Sequence, residues 1–281
     1  MSALTPNQIA SVMIVGSGGA HAVVNAVLKS GKDKMSSRAL IDGFSALIVL
    51  PFAFFLPLPT HAWGWLAGSW ATHIVYLFCL IKAFEHADMT VSYPIARGLA
   101  PVLAALLAVG LFHEAINVFV VVGVALVSVG VMTVGLGRHV DRRALGWALA
   151  TGATISVYTV LDAQGVRAAP SAASYIVWVF LFLGVGIALM FSLWRGPVFI
   201  LEARGQWRAG LAAGVLSIAS YGLALWAFRL GATPRLAALR ETSILFGVVI
   251  AVVFLKERVS GSRLAGVLTI AGGAVLLLAS G

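Results

Sequence analysis

Acidic side chains are scarce in this chain. Ten Asp and Glu residues are spread over 281 positions, against nineteen Lys and Arg. Charged residues of both signs reach only 10%, far below the roughly 25% usual in soluble domains. That shortage excludes a soluble globule. The lone cysteine, Cys79, lies in an apolar run, which excludes a disulfide framework. HExxH, GxSxG, a CxxC pair and a phosphate-cradling glycine loop are all missing. No enzyme is expected, and neither a cofactor nor a metal. The first 30 residues lack a basic leader and an A-x-A cleavage site, so the first apolar run is expected to be a retained span.

What the chain has is apolar length. Hydrophobic residues make up 60% and the mean hydropathy is +1.01. Apolar runs of spanning length recur near 8–28, 39–58, 63–86, 89–111 and 116–137, then near 144–165, 172–194, 207–229, 234–255 and 262–280. Lipid offers backbone groups no partner, so these runs are expected as helices. The expected fold class is an all-α membrane protein of ten transmembrane helices.

The two sets of runs repeat. Arg97 and Arg240, Glu114 and Glu257, Gly123 and Gly266, and Gly130 and Gly273 are each 143 residues apart. A duplicated unit follows, with the first repeat over residues 1–140 and the second over 141–281 of one membrane domain. Five spans per repeat make the second enter the membrane from the opposite side. The repeats are then inverted, an arrangement typical of transporters.

The formal net charge of +9 does not point to nucleic acid, because the basic residues cluster between apolar runs. The breaks after odd-numbered spans carry 14 Lys and Arg and the opposite breaks carry 3. Positive charge marks the cytoplasmic side, which places both termini outside the cell membrane, a bacterial inner membrane.

Polar side chains inside spans mark a cavity or glue between helices. Span 1 carries Ser17, His21 and Asn25, and span 6 carries Thr154, Tyr158 and Asp162, both at i, i+4, i+8 and so on one helix face. Span 3 adds His73 and Tyr76. Span 7 adds Tyr175 and Trp178, and span 8 adds Tyr221. His21, Asn25, His73, Tyr76, Tyr158, Asp162, Trp178 and Tyr221 are the candidate substrate contacts. Arg97 and Arg240 head matched positions as candidate substrate-carboxylate contacts or gate ion pairs, with Glu241 and Asp162 as possible partners. Pro94 and Pro101 permit a kink in span 4. His113-Glu114 reads as a turn, because its repeat partner is Lys256-Glu257.

A proline-bearing apolar helix, a Glu at its end and a glycine-spaced final helix occur as Pro101, Glu114, Gly123, Gly130, and again as Glu257, Gly266, Gly273. In this pattern the whole chain resembles the drug/metabolite transporter superfamily, specifically its EamA-type members. The second copy has Ile244 where Pro101 stands, so the kink is expected in one half only. The stretch Tyr158 to Asp162 is similar to YddG-type aromatic amino acid exporters. The resemblance implies ten helices in two inverted repeats, alternating access and export of amino acids or other small metabolites. It also implies cytoplasmic termini, against the charge count. The alternatives are an exchanger of larger anionic metabolites such as nucleotide sugars, and a scaffold or receptor without transport. Expected partners are a small-molecule substrate and the lipid bilayer, with the chain as monomer or homodimer. A carboxylate already paired with Arg97 or Arg240 carries no proton near neutrality, so facilitated diffusion is expected.

Overall fold

The structure is a computed structural model that describes residues 4–30, 34–86, 89–135, 141–195, 197–253, 256 and 260–280. Every regular element among them is helical: α1 Pro6–Ser30, α2 Lys34–Val49, a short 3-10 helix Leu50–Phe54, α3 Trp63–His86, α4 Met89–Phe112, α5 Val118–Gly135, α6 Arg142–Ala168, α7 Ala172–Arg195, α8 Pro197–Leu230, α9 Thr233–Arg240, α10 Ser243–Val253 and α11 Gly261–Ala279. Six helical stretches of the described residues are long and apolar enough to cross a membrane, and Ala39–Phe54, Val118–Val134 and Ala172–Ile187 are shorter apolar ones.

Three boundaries depart from the sequence reading. The second span ends as an α-helix at Val49, because Pro51 has no N–H to continue the ladder and the chain tightens into the 3-10 turn. The eighth helix starts at Pro197, ten residues before the expected span, because proline suits a first helical turn. The expected ninth span is two helices, α9 and α10, broken at Glu241-Thr242. There the Glu241 N–H reaches Ala238 O at 3.0 Å and the Thr242 N–H reaches Leu239 O at 3.1 Å, the tighter i to i−3 pattern. The Thr242 hydroxyl also donates to Leu239 O at 2.7 Å. By contrast α4 stays one helix through Pro94 and Pro101. The interruption therefore falls in the half without the proline.

Packing follows the 143-residue offset. α3 and α4 lie on α6; α8, α9 and α10 lie on α1. α5 lies on α11, and α2 lies on α7. The α5–α11 contact runs glycine to glycine. A Cβ at Gly130 would stand 2.8 Å from Gly266 O, and one at Gly273 would stand 2.9 Å from Gly123 O. Residue numbers rise along one helix as they fall along the other, so the two helices cross antiparallel. Close approach of this kind lets dispersion hold helices together in lipid. His113 and Lys256, also 143 apart, both take left-handed φ, at 52° and 53°. The outer faces are apolar, with Val121, Val122 and Val129 on α5 and Leu264, Leu268 and Val275 on α11 all exposed. A soluble monomer rarely exposes so much apolar surface.

Candidate functional site

α4, α6 and α9 meet around a narrow pocket. Ala100, Pro101 and Ala104 line it from α4, with Ile155, Tyr158 and Thr159 from α6, Ala237 from α9, and Arg97, Arg240 and Glu241 at one end. It holds about 20 Å³, room for about one water. Small residues bring its walls together. A Cβ at Gly152 would stand 2.8 Å from Ala96 O, and the Ser156 hydroxyl donates to Ala100 O at 2.9 Å.

The two matched arginines have separate fates. Arg97 is 6% exposed, and its Nε donates to Glu241 Oε2 at 2.8 Å while Nη2 donates to the Ser243 hydroxyl at 2.9 Å. Glu241 is 3% exposed. This is a buried ion pair between α4 and the α9–α10 break. Among the described residues Arg240 has no such partner. Its guanidinium carbon lies 4.9 Å from the Tyr221 ring centroid, a cation–π contact. Its Nε is buried and makes no hydrogen bond among the described residues. A buried donor left unfilled costs about 1–3 kcal/mol.

Beside the pocket the aromatic candidates converge. His73 stacks on Tyr158 with centroids 3.9 Å apart. Tyr76 meets Tyr158 edge-on at 5.6 Å, and Tyr221 meets His73 edge-on at 6.2 Å. His73 Nδ1 lies 2.9 Å from Ser69 O; a carbonyl can only accept, so this nitrogen bears the proton. Four candidates from α3, α6 and α8 thus form one cluster, and Tyr158 belongs to both cluster and pocket.

Residues 142–279 match the family model described as the EamA-like transporter family. The match covers most of the second half of the chain, just under half of its length. None of the curated proteins matches the chain. A solved protein crystal structure superposes with a TM-score of 0.72 over 96% of this chain and 95% of that chain, at 18% identity. At that identity the likeness is one of fold. It is one of 29 solved chains that match. The match to this transporter family over the second half, with six helical stretches of the described residues long and apolar enough to span a bilayer, supports a membrane protein.

Within the matched residues 142–279, Asp162 pairs with no arginine among the described residues. It is 1% exposed and accepts from the Tyr175 hydroxyl at 2.7 Å and from the Tyr221 hydroxyl. Two neutral donors satisfy it, so the arginines are left to Glu241 and to the pocket. Trp178 stands apart from the tyrosine cluster. It packs edge-on against Trp63 at 5.0 Å and beside Phe182. Thr151 and Thr154 bond back to carbonyls of their own helix. Ser17 and Ser220 exchange hydroxyl-to-carbonyl bonds at 2.6 and 3.1 Å, which is interhelical glue. His21 lies half-buried on α1 and does not line the pocket. The Asn25 side chain, Glu257 and the repeat boundary at 140 lie outside the described residues.

Sequence reasoning missed one centre. Glu114 does more than follow a turn: its Oε1 accepts from Arg167 Nη1 at 2.6 Å and from the Thr233 hydroxyl at 2.7 Å, and its Oε2 accepts from the Thr233 N–H at 2.7 Å. The signal available was a Glu placed beyond a helix end with an arginine at the end of another apolar run.

Proposed function

We propose that the chain is a secondary transporter that exports small amphipathic metabolites, amino acids first and aromatic ones preferred, by alternating access between two inverted five-helix halves. The observation that carries this reading is Arg240: a half-buried arginine whose Nε is buried and unfilled among the described residues, in a pocket whose walls come from both halves. A substrate carboxylate supplies what that donor lacks, with the extra strength of a charge-assisted bond. Glu241 spends Oε2 on Arg97, and Oε1 accepts no hydrogen bond among the described residues. Adjacent residues therefore offer a donor for a carboxylate and an acceptor for an ammonium. His73 and Tyr158 add an aromatic surface beside them. The antiparallel glycine crossing of α5 and α11 supports the inverted arrangement. The pocket's small volume fits an occluded state that must open to load.

The test is flux of labelled amino acids in proteoliposomes. Wild-type protein should move aromatic amino acids above empty liposomes, and Arg240→Gln should lose at least tenfold in apparent affinity at normal folding, because among the described residues Arg240 holds no other element by a hydrogen bond. No flux for any amino acid tried sinks the amino acid reading. Two guanidinium groups against one carboxylate at the pocket favour a second reading, exchange of larger anionic metabolites. Competition by nucleotides would decide for it.

A further inference from the structure

We propose that Glu114, with Arg167 and Thr233, is a clasp that holds one mouth of the pocket shut. The inference rests on the transporter reading but concerns a different part of the molecule. Glu114 follows α4, in the first half. Everything it binds is in the second half: Gln164 and Arg167 on the last turns of α6, and Thr233 at the start of α9. Both carboxylate oxygens are filled. Arg167 extends the tie to α8, donating from Nε to Phe228 O at 2.9 Å and from Nη2 to Gly231 O at 2.8 Å and the Thr233 hydroxyl at 3.0 Å. The clasp therefore gathers three helix ends of the second half, those of α6, α8 and α9, onto one side chain of the first half.

Its position relative to the pocket gives it a function. The helices it ties, α4, α6 and α9, are the helices that line the pocket. At 1.5 Å per residue, Ala104 to Phe112 and Thr159 to Arg167 each span about 12 Å, and Ala237 to Thr233 about 6 Å. The clasp thus sits one to two helical turns beyond the pocket, across its exit on that side. It is also one-sided. The residue 143 positions before Arg167 is Val24, so the first half does not repeat the arginine. A tie made by one carboxylate between halves is easily made and broken, as an exit that opens in turn requires. Arg229 serves as the internal comparison. It donates to Val166 O at 2.6 Å and Ala169 O at 2.8 Å, and so joins α8 to α6 within the second half without touching Glu114.

The experiment uses thiol labelling, which needs no substrate. In a Cys79→Ala background, Ala104→Cys places a thiol in the pocket wall. A membrane-impermeant methanethiosulfonate is added to each side of proteoliposomes in turn. The expected result is slow labelling from the residue-114 side in the parent, at least tenfold faster labelling with Glu114→Gln, and no change with Arg229→Gln. Thr233→Val, which removes only the hydroxyl contacts, should raise the rate in the same direction if Glu114→Gln protein is not recovered folded. An unchanged rate in both clasp variants overturns the proposal, and so does an equal rise with Arg229→Gln, which would mark general loosening. A chain that moves no substrate can still show the clasp, and a transporter whose labelling ignores Glu114 lacks it.

Discussion

Removing the Arg97 side chain should unfold more of the protein than any other single change at the pocket. Arg97 and Glu241 are 6% and 3% exposed, with Nε and Oε2 2.8 Å apart. Arg97→Met leaves the Glu241 carboxylate buried without its donor, and breaking a buried pair on one side costs about 3–5 kcal/mol. Glu241→Leu strands the guanidinium in the same way. Replacing both with apolar groups of similar volume removes the stranded charge, and such double changes are often neutral or stabilising. At about 2–4 °C per kcal/mol for a chain of this size, each single variant should melt about 6 °C or more below wild type. The double variant should recover most of that. The assay is thermal unfolding of purified protein in detergent, followed as a double-mutant cycle. A single variant melting within about 2 °C of wild type, or a double variant no better than the worse single one, refutes the view that this pair is structural. Arg240→Gln supplies the contrast: it should melt normally and lose transport.

Tyr158→Ala and His73→Ala should each weaken substrate binding several-fold at normal expression, because the lost stacking is worth about 0.5–1.5 kcal/mol; titrated flux measures it, and normal transport by both would make these rings packing groups. Gly130→Leu should lower the yield of folded protein, since even a Cβ would stand 2.8 Å from Gly266 O and Ile270 N; size-exclusion profiles of variant and wild type check it. A cysteine near residue 33 should be labelled only from the cytoplasm and one near residue 280 only from outside, as the charge bias expects; the reverse pattern favours cytoplasmic termini.

Local patterns were legible in the sequence, and distant partners were not. The 143-residue offset located the glycines at which α5 and α11 cross, and it marked the left-handed turn residues His113 and Lys256. Helical periodicity put His73, Tyr76 and Tyr158 on inward faces. No local signal marked the α9–α10 break, because no glycine or proline stands at residues 241–243. The break accompanies a side chain that reaches Arg97, 144 positions away in sequence. Asp162 finds Tyr175 and Tyr221 at separations of 13 and 59 residues, a choice fixed by packing. Arg167 looked like one more basic residue at a span end, since charge placement cannot distinguish a topology signal from a clasp.

The candidate site departs from the 143-residue match between the two halves of the sequence. The 143-residue offset sets two arginines at matched positions, and each alone would be an unpaired charge in a membrane. The residue after Arg97 is Gly98, and the residue after Arg240 is Glu241. Gly98 cannot become the matching acid without disturbance, because a Cβ there would stand 3.0 Å from Ser128 O and even closer to Met132. One carboxylate therefore stands near two guanidinium groups and bonds only one of them. It reaches across to Arg97 and joins α4 to the α9–α10 break, while its sequence neighbour Arg240 rests on the Tyr221 ring with Nε unfilled. A symmetric pair of acids would have neutralised both arginines and left the pocket with nothing to offer an anion. The single acid instead ties α4 to the α9–α10 break on one arginine and leaves the other for the substrate of the proposed transport function.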